Sequence, residues 1–482
     1  MNCPDNRGQN LPTRLLDLEL PNNAIDLRLV EMTGKSGCYA ALSHCWGARQ
    51  QYETTTATLQ ERKECILFRQ LTKTFKEAIQ VTRALIIRYL WIDSLCIVQG
   101  DQDDWAREAS RMSSVYQNAQ ITIAAAASDC GDKGLFRRSF EYEVETHSTE
   151  GKSRSFVFRT LRPHIDEYMG QQSTFPLSGR AWAFQERFLS PRVLHYTPLE
   201  LFFECIQEAR CECNLFRYDM WKQKTGKPRS YPNSSEKMSS EEHCEMWRGI
   251  AAQYSGLQLT HPSDKLVAIG GLARRFAEGD NDYLAGLWSK SLVQDLQWIS
   301  YSQAINGGHE WRAPSWSWAA IDVTDSGPPV ITWSQRKSFE HIHVLGYNIV
   351  PKGPDVYGEL LSGSIRLLGR CTAVKWSKGP GSSEVNSEVC FPNMHKCRVY
   401  LDARFTRQSL QEIGANWVET VCLLLAGDAG WSMRTRVFCL ILKRLEPKIN
   451  VFERVGACIG RFEDGASLLE SIPADKTIVE IV

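Results

Sequence analysis

Apolar residues in the first third of the chain occur as short continuous runs, separated by segments in which they recur every three or four positions. The runs lie at 38–43, 89–92 and 120–127. A continuous run is typical of a strand covered on both faces, and the longer spacing is typical of an amphipathic helix. Three strands separated by helices predict βαβ units and a parallel sheet, so we expect the first domain to be α/β.

The segment after the second run predicts a helix with acidic residues at its start. Asp101 or Asp103 can cap it, because a carboxylate oxygen accepts hydrogen bonds from the free N–H groups of the first turn. By their spacing, four residues are expected to share its buried face: Trp105, Ala109, Met112 and Tyr116. Glu108 lies at the edge of that face, so we expect its carboxylate to point toward the core side.

Composition and periodicity divide the chain into five regions. They are an N-terminal extension with one short strand (1–36), the α/β domain with a variable excursion at 131–178 (37–215), a linker (216–240), a helical region (241–325) and a β-rich module (326–482). Within the α/β domain, a short helix is predicted at 179–187 and a hairpin at 192–205.

The C-terminal half changes from helical periodicity to strand patterns. Helices are predicted at 241–257, 263–278 and 283–299. Runs between Gly, Pro and Asp turns then predict strands at 342–350, 364–376, 396–404, 421–426, 436–445, 453–462 and 477–482. We expect this module to be antiparallel, either a sandwich or an open barrel.

Composition excludes several classes of protein. The 482 residues suffice for two or three domains, and 56 basic side chains balance 56 acidic ones, so an obligatory nucleic-acid or acidic-membrane partner is not expected. The sixteen cysteines are dispersed and the N-terminus lacks a signal-peptide core, which favours a reducing, cytoplasmic environment. The apolar stretch at 84–92 is interrupted by Arg88 and is shorter than the roughly 20 residues that span a bilayer, so a soluble protein is expected.

Polar residues follow each of the three predicted strands. They are Ser43 and His44, Asp93 and Cys96, and Ser128 and Asp129. Ligands of open parallel sheets bind outside the carboxyl ends of the strands, so we expect these residues to lie along one edge that forms the candidate site. Gly47 permits a sharp turn beside it.

Four ordered blocks of residues resemble the heterokaryon incompatibility (HET) domain of filamentous fungi. The blocks are Ala41-Leu-Ser-His-Cys-Trp-Gly47, Tyr89-Leu-Trp-Ile-Asp-Ser-Leu-Cys-Ile97 with Gln99, Asp104-Trp-x-x-Glu108 with Met112 and Tyr116, and Arg180-Ala-Trp-x-x-Gln-Glu186 with Leu189-Ser190. Segments within 259–288 and 312–318 resemble the region that commonly follows this domain. The β-rich module resembles no family.

The resemblance implies a fungal, cytoplasmic protein of allorecognition, in which the HET domain is an effector of programmed cell death after incompatible hyphae fuse. It also implies a distant relation to TIR domains, some of which cleave NAD. Expected partners are other incompatibility-locus proteins, further copies of the chain, and a nucleotide or another small organic substrate. No cofactor, metal ion, nucleic acid or membrane span is expected.

Cleavage of a nucleotide needs a carboxylate that binds the ribose or stabilises an oxocarbenium-like centre, together with aromatic surfaces that hold the rings. Glu108 and Glu186 are the candidate carboxylates, and Trp46 and Trp182 are the candidate surfaces. The alternative for Glu108 is a solvated helix residue paired with a neighbouring arginine.

The remaining catalytic candidates lie at the strand ends. Asp93 follows a buried strand and needs a partner to offset its desolvation, either in catalysis or as a cap of the next turn. Cys96 or Cys45 can be a nucleophile with His44 as base, whereas the alternative is that both thiols only fill space in the core.

The candidate substrate-binding residues are Ser43, Trp46, Gln99, Arg180, Trp182 and Gln185. Arg180 can bind a phosphate or carboxylate through two parallel hydrogen bonds, or can form a structural ion pair instead. A zinc site is not expected, because Cys205, Cys211 and Cys213, with His195 and Cys244 further away, lack paired CxxC spacing.

Three functions remain open at this point. The first is an incompatibility effector that cleaves NAD or another nucleotide, with Glu108 and Asp93 as its acid groups. The second is a non-enzymatic signalling module that kills through assembly. The third is an enzyme of specialised metabolism that uses His44 and Asp93 on a small organic substrate.

Overall fold

The computed structural model describes residues 8–19, 25–48, 52–136, 141–147, 153–159, 175–205, 208–212, 239–300, 311–321, 331–334, 342–378, 387–390, 396–402, 420–429, 435–445, 450–462 and 472–482. The chain divides into two compact units, Met1–Lys237 and Met238–Val482. Each unit has its own sheet and its own buried core.

Within the described part of the N-terminal unit, eight strands form one mixed sheet. They are β1 (Arg14–Asp17), β2 (Arg28–Glu31), β3 (Tyr39–Ser43), β4 (Tyr89–Trp91), β5 (Ile121–Ala124), β6 (Arg192–Tyr196), β7 (Leu201–Cys205) and β8 (Ala209–Cys211). Their spatial order is β8-β7-β6-β5-β3-β4-β1-β2. The central strands β6, β5, β3 and β4 pair in parallel. The outer strands pair antiparallel.

The expectation of a parallel sheet therefore holds for the centre and is wrong for both sides. The predicted hairpin at 192–205 extends one side with an antiparallel strand. On the other side, the polar N-terminal extension contributes two strands, although only one had been expected. Its polar residues mislead because they are buried in pairs: Arg14 binds Asp104, and Asp17 binds Arg88 at 2.8 Å.

Five α-helices accompany this sheet in the described residues: α1 (Leu59–Glu64), α2 (Lys73–Ala84), α3 (Asp93–Cys96), α4 (Gln102–Asn118) and α5 (Ala181–Leu189). Asp101 caps α4 as predicted, since its side chain accepts a hydrogen bond from the Asp104 amide. The predicted buried face is wrong at Trp105, which is 39% exposed. The buried face instead includes Asp104, held by Arg14, and Glu108.

Shorter elements complete the described N-terminal unit. The strand pairs are Gln9–Asn10 with Ser36–Gly37, Thr54–Thr55 with Val98–Gln99, and Glu141–His147 with Ser153–Arg159, and the 3₁₀ helices are Phe68–Gln70 and Pro176–Gly179. The third strand pair lies inside the predicted excursion at 131–178. The predicted linker at 216–240 lies outside the described residues, apart from 239 and 240.

In the C-terminal unit, two of the three predicted helices are present and the third is wrong. Helices α6 (Ser240–Ser255) and α7 (Val267–Phe276) are followed by β9 (Tyr283–Leu284), β10 (Leu287–Trp288), α8 (Leu292–Asp295) and β11 (Trp298–Ser300). A tight turn replaces the start of the third helix, because Ala285 and Gly286 have φ angles of 48° and 97°. The indoles of Trp247 and Trp318 both donate to the Gly286 carbonyl and fix this turn.

The β-rich module forms a barrel-like sheet. Its strands, with the one that pairs with β11, are β12 (Ile331–Trp333), β13 (His343–Pro351), β14 (Leu360–Ala373), β15 (Lys375–Lys378), β16 (Ser387–Cys390), β17 (Lys396–Leu401), β18 (Thr420–Ala429), β19 (Thr435–Arg444), β20 (Val451–Phe462) and β21 (Lys476–Ile481). Strand β21 pairs with both β14 and β20, which closes β14, β18, β19, β20 and β21 into a ring. The expectation is confirmed in part: a strand is present at each predicted position and the sheet is barrel-like and mostly antiparallel, but β20 and β21 pair in parallel.

Two 3₁₀ helices of this unit, Pro262–Lys265 and Ser289–Ser291, precede α7 and α8, and a third spans Trp318–Ala320. Across the described residues of both units, no helix combines the length and the apolar character needed to cross a bilayer.

Candidate active site

The carboxyl ends of the parallel strands bring polar side chains to one edge of the sheet. Ala41 of β3 lies beside Trp91 of β4, so His44 and Asp93 both follow within three residues of this pair. As a result, Nδ1 of His44 lies 3.7 Å from Oδ1 of Asp93. On its other side, β3 pairs Ser43 with Ala124 of β5.

Two helices add side chains to this edge. Tyr116 comes from α4, Arg180 precedes the first residue of α5, and Glu186 lies within α5. We define the strand-end cluster as Ser43, His44, Trp46, Asp93, Tyr116, Arg180 and Glu186. Blocks that are distant in sequence therefore form one group of hydrogen-bonding and charged side chains.

Glu186 is the central carboxylate of the strand-end cluster. It is 6% exposed, and its Oε2 accepts a hydrogen bond from the Ser43 hydroxyl. Burial is the main cause that raises the pKa of Glu186, and the negative charge of Asp93 acts in the same direction. Ser43, Arg180 and Tyr116 oppose the shift, and the net result is a rise from 4.5 to about 7. Glu186 can therefore gain or lose a proton near neutral pH.

Asp93 is the carboxylate of the cluster that reaches solvent. Its side chain is 18% exposed, whereas that of His44 is 1% exposed. The indole of Trp46 donates to Oδ2 at 2.8 Å, and the backbone amide of Ser94 donates to Oδ1 at 2.7 Å. These donors fix an anionic group beside Glu186 and offset part of its desolvation.

His44 and Arg180 complete the electrostatics. Burial lowers the pKa of His44, and although Asp93 opposes this shift, the net direction keeps the imidazole neutral. Arg180 donates to the backbone carbonyl of His44 and is half-buried. Its positive charge also favours the ionised form of Glu186. The described contacts include no ion pair between the two side chains.

The two cysteine candidates are poorly suited to nucleophilic attack. Burial raises the pKa of the Cys45 thiol to about 11 and that of the Cys96 thiol to about 12. Both thiols are therefore protonated at neutral pH, whereas the thiolate is the nucleophile. The Cys96 carbonyl, by contrast, has a structural role, because it accepts a hydrogen bond from Arg14 at 2.6 Å.

Ser128 and Asp129 hold the loop that follows β5. The Ser128 hydroxyl donates to the Gly134 carbonyl, and Asp129 pairs with Lys133 at 2.6 Å. The loop closely approaches the turn at Gly47, whose φ is 77° and where a Cβ would lie 2.7 Å from that of Cys130. These two polar residues thus lie near the edge but bond within their own loop.

Glu108 is not brought into the strand-end cluster. It is 3% exposed, its Oε1 accepts a hydrogen bond from Thr13 at 2.8 Å, and Arg107 approaches it at 3.6 Å. It lines a separate groove between α4 and the N-terminal segment. The expected pairing with an arginine is present, but the residue is buried and not solvated.

The remaining candidates from sequence are Gln99, Trp182 and Gln185. Gln99 is half-buried, and its side-chain amide donates to the Ile97 carbonyl. Trp182 and Gln185 lie on α5 with Glu186, and Gln185 is 2% exposed whereas Trp182 is half-buried.

Sequence reasoning missed Tyr116 as a member of the site. Its hydroxyl donates to the Leu42 carbonyl at 3.1 Å and also hydrogen-bonds to Glu186. The available signal was its place on the buried face of α4, since a buried tyrosine hydroxyl needs a polar partner.

A second missed feature is the buried network around Glu204. Arg187 binds both oxygens of Glu204, at 2.6 and 3.0 Å, and Nε2 of His195 lies 2.9 Å from Oε1. Alternation along β6 would have placed Val193 and His195 on one face. His195, considered above only as a metal ligand, thus pairs with a carboxylate.

An enclosed cavity of about 60 Å³ adjoins Ser43. Its lining is mostly apolar, with Ala124, Leu177 and Val193 among its walls, and His195 and Ser43 provide polar atoms. A volume of roughly 10 to 15 Å³ of this kind holds one water molecule. The cavity can therefore hold water next to the Ser43–Glu186 hydrogen bond.

The described residues contain no group of three or more His, Cys, Asp and Glu side chains arranged to hold a metal ion. What the strand-end cluster offers is acid–base chemistry. Glu186 changes protonation near neutral pH, Asp93 supplies a fixed negative charge, and Ser43 can relay a proton between Glu186 and the cavity. Two carboxylates held in unlike environments are a recurrent arrangement in hydrolases.

Comparison with known proteins finds a family match over this part of the chain. Residues 39–186 match the sequence model of the family described as "Heterokaryon incompatibility protein (HET)". This span begins at the first residue of β3 and ends at Glu186, so it contains the whole strand-end cluster. No curated protein and no solved structure gives a significant match to the chain.

Proposed function

We propose that the protein is an effector of fungal allorecognition that cleaves NAD or a related nucleotide at the strand-end cluster. The resulting loss of nucleotide leads to programmed cell death. The proposal starts from the match of residues 39–186 to the heterokaryon incompatibility (HET) family. The parallel strands at the centre of the sheet are consistent with the distant relation to TIR domains that the sequence resemblance implies.

The observation that carries this proposal is the presence of two carboxylates in unlike environments, Glu186 and Asp93, whose charges influence each other. Hydrolysis of an N-glycosidic bond passes through an oxocarbenium-like centre, which a nearby carboxylate stabilises. A second carboxylate acts as the general base that accepts a proton from the attacking water. Asp93 is fixed by two donors and reaches solvent, as the stabilising group requires. Glu186 has a pKa of about 7, which suits a general base that works near neutral pH.

The reaction balances with these residues alone. Water adds to the anomeric carbon of the ribose as the nicotinamide leaves with the electron pair of the N-glycosidic bond. The proton lost by water passes to Glu186, directly or through Ser43, and then to solvent. Since Glu186 accepts the proton, the rate should rise with pH through about 7 and level off above it.

Glu108, the first candidate from sequence, has no catalytic role in this proposal, because it lies outside the strand-end cluster. His44 remains neutral and packs beside Asp93, with Nδ1 3.7 Å from Oδ1. Arg180 is available to bind a phosphate on the exposed side of the cluster, although its contact with the His44 carbonyl also serves the fold.

The test is release of free nicotinamide from NAD by the purified full-length chain. Glu186→Gln should reduce release by roughly 100- to 10,000-fold, the usual contribution of a general acid or base. Glu64→Gln, an exposed helical glutamate, is the matched control and should leave the rate unchanged. Equal rates for wild type and Glu186→Gln would contradict the proposed site.

Cell death distinguishes the enzymatic proposal from assembly. Expression of wild type in a filamentous fungus should kill hyphae, measured by uptake of a vital dye, and Glu186→Gln should not. Killing that persists with the folded variant would favour a non-enzymatic module that acts by self-association or through another incompatibility-locus protein. Absence of nicotinamide release from wild type, with killing still dependent on Glu186, would indicate another small organic substrate.

A further inference from the structure

The groove that contains Glu108 lies apart from the strand-end cluster. It has a volume of about 380 Å³, within the range of small-molecule sites. One wall is the face of α4 that carries Glu108, Arg111 and Asn118, which lie three and then seven residues apart. The other walls come from the segments around Thr13 and Gly34. We refer to it as the Glu108 groove.

Glu108 presents an acceptor to this groove. The residue is 3% exposed, and both Thr13 and Arg107 approach the same oxygen, Oε1. Neither of these contacts involves Oε2, which is left for a ligand. A carboxylate is an acceptor at neutral pH, so a ligand must bring hydroxyl or ammonium donors to it.

Arg111 presents donors one turn further along α4. Its Nη1 donates to the Thr13 hydroxyl at 2.9 Å, and it forms no ion pair with a carboxylate of the described residues. Thr13 thus links the guanidinium of Arg111 to the carboxylate of Glu108. The remaining N–H groups of Arg111 suit a phosphate or carboxylate, which accept planar pairs of hydrogen bonds.

We propose that the Glu108 groove binds the ribose-phosphate portion of a nucleotide, with Glu108 on the ribose diol and Arg111 on the phosphate. Acidic side chains bind ribose hydroxyls in the same way in dinucleotide-binding folds. A zwitterionic amino acid offers the same charges, but a small one would leave much of 380 Å³ unfilled. The proposal rests on the proposed function only for the class of ligand.

The groove predicts weak discrimination between bases. Tyr39 is the one aromatic residue among the described residues that line it, and its side chain is wholly buried with its hydroxyl bonded to the Val115 carbonyl. No exposed ring is therefore presented for stacking by these residues. AMP and CMP should bind with similar affinity, whereas loss of the diol or of the phosphate should weaken binding.

The experiment is calorimetric titration of the full-length chain with AMP. Glu108→Gln and Arg111→Gln should each raise the Kd at least about tenfold, and Glu64→Gln should leave it unchanged. Adenosine and 2′,3′-dideoxy-AMP should each bind wild type at least about tenfold more weakly than AMP. Arg111 is exposed, so its variant should fold normally even if Glu108→Gln loses stability.

Several outcomes would overturn the inference. They are the absence of AMP binding, an AMP affinity unaffected by both groove variants, dideoxy-AMP binding as tightly as AMP, or preferential binding of free amino acids. Failure of the proposed function can be told apart from failure of this inference. In the former case, nicotinamide release would be absent while AMP binding still depended on Glu108 and Arg111. The Glu186→Gln variant should bind AMP at the groove with the wild-type Kd.

Discussion

Two buried acidic residues, one in each unit, are compensated in opposite ways. In the C-terminal unit, Asp402 pairs with Arg454, and both side chains are 0% exposed. Arg454 also donates to the carbonyls of Leu296 and Trp298 and stacks 3.4 Å from the Trp298 ring centre. In the N-terminal unit, Glu186 is also buried, at 6% exposed, but it meets hydroxyl groups and the charge of Asp93.

The difference separates a structural carboxylate from a reactive one. A buried carboxylate with a bonded guanidinium stays ionised and holds its surroundings together. A buried carboxylate without such a partner has a raised pKa, so it binds and releases a proton near neutral pH. The same contrast exists beside the site, where Arg187, the residue next to Glu186 on α5, neutralises Glu204.

The largest expected effect is on the structural pair. Arg454→Met should lower the free energy of unfolding by about 3 to 5 kcal/mol, because it leaves Asp402 buried without its cation. Urea unfolding measures this loss. Arg274→Met is the matched control, since Arg274 pairs with Asp355 at the surface and should cost about 1 kcal/mol or less. Equal losses would show that burial does not make the Arg454–Asp402 pair more important than a surface ion pair.

The reactive carboxylate should show the opposite behaviour. The pKa of Glu186 is higher in the folded protein than in the unfolded chain, so its stabilising contribution is complete below about pH 4.5 and is lost as pH rises through about 7. Wild type should therefore lose about 2 to 3 kcal/mol relative to Glu186→Gln between pH 5 and pH 8. A difference that does not change with pH would show that Glu186 is ionised throughout.

Asp93→Asn should sharpen the account of why Glu186 titrates near pH 7. Removing the negative charge should lower the pKa of Glu186, so the rise in nicotinamide release should begin at lower pH while the plateau rate falls. The pH–rate profile measures both effects. Asp103→Asn, at an exposed position at the start of α4, is the control. An unshifted profile with a lower plateau would mean that Asp93 does not influence Glu186.

The smallest effects should come from the thiols. Cys45→Ala and Cys96→Ala should keep nicotinamide release within a few-fold of wild type, because both thiols are protonated near neutral pH. Steady-state rates after a check of folding by circular dichroism are sufficient. A loss of more than about 100-fold in a folded variant would point to a thiolate nucleophile instead of acid–base chemistry.

The centre of the N-terminal sheet was predictable because its strands are continuous apolar runs in the sequence. β3, β4 and β5 could be placed, and with them the edge that joins His44 to Asp93. The outer strands could not be placed, because β1 places Arg14 and Asp17 in the interior by pairing them with residues distant in sequence. Local pattern contains no information about such pairs.

The same limit applies to the site. The sequence put Glu186 among the candidates but could not rank it above Glu108, because both carboxylates lie on helices within recognisable blocks. The deciding fact is tertiary: Glu186 meets Ser43 and Asp93, whereas Glu108 meets Thr13 and Arg107. In the C-terminal unit, the helix predicted at 283–299 from its spacing is wrong for the same reason. The turn at Gly286 is fixed by hydrogen bonds from two tryptophans distant in sequence.

The most direct test is a carboxyl-carbon NMR titration of the full-length chain labelled at glutamate, with Glu186→Gln used to assign the signal. We expect the signal that disappears in the variant to titrate with a midpoint near pH 7 in wild type. A midpoint near 4.5, the ordinary value for a glutamate, would contradict the account, because Glu186 would then be a permanently ionised structural residue.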